Sequence, residues 1–157
     1  HYSNIFLRKN APFMDIPVAV VTDCDVKEYK KEGSEYQKRQ NIDEERQKKV
    51  KEKELKSFEN VKYFVAPYWT LEYSLFLSQS LSAKFQEIVK SIHKKIDKKV
   101  NFEEGLARKL LKKGKLEKTE TAYRLANHLD SLDNDIPISE EDTICYLKKA
   151  IEYAAGN

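Results

Sequence analysis

The chain has 157 residues, 40% hydrophobic and 35% charged, with only four Gly and four Pro, the make-up of one helix-rich domain. That composition excludes collagen-like and Pro/Gly-disordered chains, and two cysteines, Cys24 and Cys145, predict a reducing cytoplasmic setting rather than a disulfide framework. The longest apolar run, residues 16–21, contains Pro17 and is far too short to cross a bilayer, and the chain opens without a basic-then-apolar leader.

The net charge of +3 conceals an asymmetry: residues 84–118 carry 12 Lys/Arg against 5 Asp/Glu, and residues 119–157 carry 3 against 8. A local excess of that size attracts a phosphate backbone, although on charge alone the lysines need do no more than keep a helix face in water.

Taken in order, Ile16-Pro17-Val18-Ala19-Val20-Val21-Thr22 is a β-branched run that predicts a strand buried on both faces, stopped by Asp23-Cys24-Asp25. Residues 27–57 form a charged insert. Its apolar residues Tyr29, Tyr36, Ile42, Val50 and Leu55 make no helical stripe, while Glu44/Lys48 and Glu45/Lys49 at i, i+4 support a solvated helix. Val61-Lys62-Tyr63-Phe64-Val65 predicts a second strand, closed by Ala66-Pro67, and Thr70 caps a helix over residues 70–77. Ser82 caps the next, whose stripe is Phe85, Ile88, Val89, Ile92 and Ile96. Leu106, Ala107, Leu110 and Leu111 mark a short helix, and Ala122, Leu125, Ala126 and Leu129 another. Ser139-Glu140-Glu141-Asp142 reads as a capping box before Ile144, Leu147, Ile151 and Ala154. The expected architecture is α/β: two parallel strands flanked by helices. Residues 1–83 form the α/β core with the insert at 27–57, and residues 84–157 a helical region that completes and flanks the site.

Chemistry concentrates at the strand ends. Asp23 and Asp25 are at i, i+2, which in extended chain projects both carboxylates to one face, at the mouth of a parallel sheet. Two such carboxylates repel each other unless a cation, a proton or a basic group lies between them, and Mg²⁺ suits hard oxygen ligands. The plainer alternative has Asp23 capping a helix and Asp25 in water. Glu72, in a first helical turn beyond the second strand, falls at the same mouth if the strands are parallel neighbours. Lys118, at the boundary between basic and acidic stretches, is placed to donate to a phosphate oxygen. Lys90, Lys94 and Lys98, at i, i+4, i+8, share one face of a continuous helix and are candidate DNA-binding residues. Cys24 should point away from the two aspartates into the core. Neither His93 nor His128 has a partner at zinc spacing, Tyr68 and Trp69 read as packing residues, and no Gly-rich phosphate loop occurs.

In this order the motifs resemble a known family. The strand ending Val20-Val21-Thr22-Asp23-Cys24-Asp25 is similar to the Asp-x-Asp strand of a TOPRIM domain. Thr70-Leu71-Glu72-Tyr73 resembles the Thr-Leu-Glu-Tyr segment of the OLD-family (overcoming lysogenization defect) nucleases, and Lys118-Thr119-Glu120-Thr121-Ala122 their downstream lysine helix. The resemblance covers roughly residues 16–130 and implies a partial TOPRIM sheet from a Mg²⁺- or Mn²⁺-dependent DNA endonuclease or nickase. Asp23, Asp25 and Glu72 would then hold metal, Glu72 supporting a second ion, and Lys118 would contact the scissile phosphate. Two ions about 3.5–4 Å apart would activate water and stabilise the leaving oxygen. It also implies DNA and an ATPase domain as partners, possible self-association, no membrane, and a parent that acts against phage. TOPRIM domains open with a glutamate-bearing strand, and residues 1–15 contain no glutamate. The expectation is therefore a C-terminal part of a longer nuclease, inactive or nearly so by itself. The rival reading is a helical nucleic-acid-binding or assembly module without catalysis. A receiver domain fits poorly, since regular strand–helix alternation is lacking.

Overall fold

The computed structural model of the chain describes residues 16–112 and 115–156, so the glutamate-free residues 1–15 lie outside it. The elements are β1 (Val18–Thr22), β2 (Tyr29–Glu32), β3 (Glu35–Lys38), α1 (Asp43–Glu54) and β4 (Val61–Val65), then α2 (Leu71–Leu77), α3 (Ser82–Ile92), α4 (Phe102–Leu111), α5 (Lys118–Asp130) and α6 (Cys145–Ala154). The chain is mixed α/β, as its patterning predicts.

The two apolar runs do pair in parallel, with Val18 opposite Val61 and Thr22 opposite Val65. β1 is nevertheless not buried on both faces: its residues are half-buried at best and Val21 is 48% exposed. The reason is the size of the sheet. Among the described residues it has only these two strands, and one edge of β1 is left unpaired. The outer edge of β4 is blunted by the preceding loop. There Phe58 and Val61 exchange backbone hydrogen bonds of 2.9 Å, and the Tyr63 N–H donates to Ser57 Oγ at 3.0 Å. α6 packs on β1 and β4, and α1 on β4.

The insert holds a hairpin that helical periodicity could not reveal. β2 and β3 pair antiparallel around Gly33-Ser34, with Gly33 at φ +58°, the left-handed value a tight hairpin turn needs. Tyr29 is buried from this hairpin and Tyr36 lies under the Arg108 guanidinium, 5.0 Å from its ring centre. α1 follows with no buried residue of its own. Neither pair expected within it is made; Glu45 binds Arg39 at 2.6 Å and Lys49 binds Glu52 at 3.1 Å instead. Arg46 anchors the helix instead. Its guanidinium covers the Tyr68 ring at 4.5 Å and pairs with buried Glu28 at 2.7 Å.

Helix α2 begins as expected, with Thr70 Oγ1 accepting from the Tyr73 N–H. Ser82 does not cap α3: it is the first helical residue and donates back to the Phe76 carbonyl, while Ser78 Oγ takes the N–H groups of Ser80 and Leu81. Phe85, Ile88 and Val89 are buried along α3, but the helix stops at Ile92 and Ile96 reaches the core from the turn beyond it. In α5 the inward face is set by Thr121 and Leu125, and Ala122 and Ala126 are exposed. Thr121 tolerates burial because its hydroxyl donates to the Glu117 carbonyl at 2.8 Å. α6 starts three residues beyond the expected box, buries Cys145 and Ala150, and leaves Ile151 71% exposed and Ala154 exposed. Of the expected stripe, Ile144 is buried in the main core and Leu147 packs against it, while Ile151 and Ala154 turn outward.

The main core runs from Tyr29 through Phe85 and Leu106 to Ile144, drawing on both sides of residue 83, and a smaller cluster gathers Cys24, Val26, Ile42 and Val65. Cys24 is fully buried and Cys145 nearly so, and burial pushes both thiols above the usual cysteine range. Both are therefore expected to react with a disulfide reagent at least about tenfold more slowly in the native chain than in denaturant. Rapid native-state labelling would show that one of the two packs differently.

Candidate functional site

Because β1 and β4 run parallel, both deliver their carboxyl ends to one edge of the sheet. The loops leaving them are stitched together: the Ala66 N–H donates to the Thr22 carbonyl at 2.9 Å and the Asp25 N–H to the Trp69 carbonyl at 3.0 Å. These bonds carry the second loop back over the first and set the start of α2 against Asp23. There the Asp23 carboxylate accepts the Leu71 backbone N–H at 2.9 Å. That N–H is one of the donors a helix start leaves unpaired.

The next residue is Glu72, whose side chain is 12% exposed. The Lys118 ammonium, at the first position of α5, lies 3.0 Å from one Glu72 oxygen and 3.1 Å from the other. Two segments 46 residues apart thus close on a single ion pair beside Asp23. The Asp23 carboxyl feels all of them. Burial raises it above the ordinary aspartate value, the Leu71 N–H pulls it back, Glu72 pushes it up, Lys118 draws it down, and Asp25 pushes it up again. Asp23, Glu72 and Lys118 therefore form one electrostatic unit at the sheet mouth.

Asp25 does not converge with Asp23. The same-face argument requires extended chain, but the strand ends at Thr22 and Asp25 sits at φ +67°, a left-handed conformation that aspartate tolerates. Its carboxylate turns toward α1 and pairs with Lys53 at 2.5 Å. The Lys53 ammonium, on a side chain only 13% exposed, also takes the Asp23 backbone carbonyl at 2.5 Å. A lysine of the charged insert thus neutralises the second aspartate. Nothing in the spacing of α1 singles Lys53 out among its basic neighbours.

Tyr146 is a second residue the sequence reading passes over. Burial first, and then the carboxylates of Asp23 and Glu72, hold its phenol far above the usual tyrosine range, so it stays protonated beside them. It also lines a cleft of about 820 Å³ between α1, β4 and the start of α6, together with Tyr63, Phe64 and Tyr68. In sequence it is one aromatic between Cys145 and Leu147 at a helix start, which is where a packing residue is expected.

The donor chemistry can be weighed against a divalent cation. Among the described residues no three His, Cys, Asp or Glu side chains gather as a ready cage. Asp23 and Glu72 are two hard-oxygen donors at one mouth, the number with which Mg²⁺ is commonly held alongside substrate phosphates. The pair fits such an ion, and Asp25 joins it only if Lys53 releases its carboxylate.

The lysine face expected along residues 90–98 does not exist. α3 ends at Ile92, so Lys94 and Lys98 lie in the following turns, and Lys90 is engaged with Asp97 at 3.0 Å and sits 5.5 Å over the Phe102 ring. His93 ends α3 as a structural residue. Its Nε2 accepts the Glu117 N–H at 3.3 Å, and burial followed by the nearby Lys109 charge lowers its pKa. No protein-family model, no curated protein and no solved structure matches this chain.

Proposed function

We propose that the chain is the metal-dependent phosphodiester-cleaving part of a DNA endonuclease or nickase of the OLD type, built on a partial TOPRIM sheet. The observation that carries this reading is the meeting of Asp23, Glu72 and Lys118 at the carboxyl ends of two parallel strands. In it, Asp23 and Glu72 hold Mg²⁺ or Mn²⁺, which supplies an activated water and charge stabilisation at the phosphorus. Lys118, whose side chain is 53% exposed, exchanges Glu72 for a non-bridging phosphate oxygen and steadies the charge that develops there. The protonated Tyr146 phenol offers a donor on the same side. A further carboxylate-bearing strand, beside the edge of β1 that no described residue pairs, completes the ligand set in the whole protein, so this chain alone cuts weakly or not at all.

The test is Mn²⁺ titration of the full chain, read by water-proton relaxation, beside a plasmid-nicking assay. The expected result is saturable Mn²⁺ binding that Asp23→Asn or Glu72→Gln weakens at least about tenfold, the loss of one ligand bond at roughly 1.4 kcal/mol per decade. Mn²⁺ binding that ignores both substitutions refutes the site. Robust metal-dependent nicking by the isolated chain, abolished by Asp23→Ala, would keep the site and overturn its incompleteness. The alternative, a binding module without catalysis, draws on the closed Glu72–Lys118 pair. It predicts salt-sensitive DNA binding with no metal site at all.

A further inference from the structure

The basic residues that the helix face fails to align are collected elsewhere, in two adjoining grooves. One, of about 270 Å³, lies where the turn after α3 meets α4 and is lined by Lys95, Lys99, Arg108, Lys109, Lys112 and Lys115 over a floor of Ile96 and Val100. The other, of about 590 Å³, runs along the β2–β3 hairpin past Lys27, Lys30, Lys31 and Arg39. Lys112 lines both, and Arg108 stacks on Tyr36 between them, so the two are one path.

Only part of the charge along this path is spent internally. Arg108, Lys30 and Arg39 are matched by Glu104, Glu32 and Glu45. Lys27, Lys31, Lys95, Lys99, Lys112 and Lys115 make no ion pair with any described residue, although folding has brought them from three separate segments. The C-terminal end of a helix attracts cations, which accounts for Arg108 and Lys109 in the last turn of α4. It does not account for Lys27 and Lys31 on the hairpin or Lys95 and Lys99 in the turn after α3. Crowding unpaired like charges in a concavity is unfavourable unless an anion shares it.

The path also leads to the site. Lys115 lines it and Lys118 closes on Glu72, and three residues of chain span at most about 10 Å. Six unpaired lysines from three segments, spread over two joined grooves, are more than one small anion needs, and the aromatic share is small: Tyr36 is covered by Arg108 and Tyr29 is buried. These features favour a phosphate backbone over stacked bases or a single small anion.

We infer that this groove, from the β2–β3 hairpin across the end of α4 to Lys115, is the track along which a nucleic-acid backbone is laid toward Lys118. The inference rests on the reading of the chain as DNA-acting, and it gives the charged insert a role, since the hairpin supplies one bank of the track.

The experiment is fluorescence anisotropy of a labelled DNA duplex with the full chain in EDTA, over a range of salt. Lys95→Gln/Lys99→Gln/Lys112→Gln is compared with Lys48→Gln/Lys49→Gln/Lys56→Gln, an equal charge change on and just after α1. All six positions are exposed, so both variants should keep the native circular dichroism. The track variant is expected to lose at least about tenfold in affinity and to reduce the salt slope by about 2–3, near 0.9 for each phosphate contact removed. The control should move less than about threefold. Equal losses in both variants, duplex binding by the track variant at wild-type strength, or no salt-dependent duplex binding by the wild type overturns the track. Catalysis is not read in this assay. Loss of nicking or of Mn²⁺ binding with duplex affinity intact counts against the nuclease reading alone.

Discussion

Gly105→Ala is expected to destabilise the chain by about 3 kcal/mol and to lower its melting temperature by roughly 6–12 °C, although alanine is the better helix former. Gly105 lies buried inside α4, and its N–H keeps the ordinary helical bond to the Asn101 carbonyl at 3.0 Å. A β-carbon there would run into the carbonyl of Ile96, a backbone group in the turn after α3. Alanine gains about 1 kcal/mol of helix propensity, so the prediction is that backbone displacement outweighs it several-fold. The same close approach lets α4 sit against the turn that carries Lys95 and Lys99. Duplex affinity should therefore fall along with stability, whereas Gly33→Ala on the hairpin, with open space around it, should leave the α4 contact untouched. Thermal melting by circular dichroism reads the first effect. An unchanged or raised melting temperature for Gly105→Ala would mean that the turn does not pack on α4 as described.

Parts of this architecture could be read from the residues alone, and the boundary has physical causes. Two β-branched runs predict two strands, Thr70 predicts the start of α2, and Phe85, Ile88 and Val89 predict the buried face of α3, because each signal is local and strong. The hairpin in the insert was hidden because its pattern is carried by two tyrosines among lysines and glutamates. The α5 and α6 stripes hold only in part, at Leu125, Ile144 and Leu147, for a different reason. Which face of a short helix turns inward depends on what it meets, and the segment entering and forming α6 buries Ile144, Cys145 and Ala150 but leaves Ile151 outside. At the site, Glu72 and Lys118 were legible as types and positions, and their contact follows from tertiary structure. The divergence of Asp25 was not, since one left-handed φ angle undoes a same-face argument that is sound for extended chain. Lys53 and Tyr146 had no signal at all, as each is one of many of its kind and its role comes entirely from what folds against it.

Asp142→Asn is expected to cost about 2–3 kcal/mol, with its effect confined to conditions in which the wild-type carboxyl is ionised. Asp142 is 4% exposed and joins the segment before α6 to the corner between α2 and α3. One of its oxygens accepts from Ser78 Oγ at 3.0 Å, the Ser80 N–H at 3.0 Å and Ser80 Oγ at 2.8 Å, and the other accepts from the Ile144 N–H at 3.1 Å. Burial alone would raise the carboxyl, but the Ile144 N–H and then the Ser80 and Ser78 donors more than offset it and hold it below the ordinary aspartate value. An asparagine must point its NH₂ at one of two backbone N–H groups, and unlike a serine hydroxyl neither can reverse to accept. A group with a depressed folded pKa contributes stability that is complete above its unfolded value, near 3.8, and is lost as the pH falls through the folded value. His93, also depressed, acts in the same direction higher on the scale: its contribution is complete above about 6.5 and falls away in more acid solution. Urea unfolding across pH should thus show a loss below about 6.5 from His93 and a lower acid-side loss that Asp142 shares with Glu103 and Glu140, also held below the usual range, and only the lower one should shrink in Asp142→Asn. A substitution that instead removed the step near neutral pH, or left the acid limb intact, would mean that the charge on Asp142 does not hold this corner together.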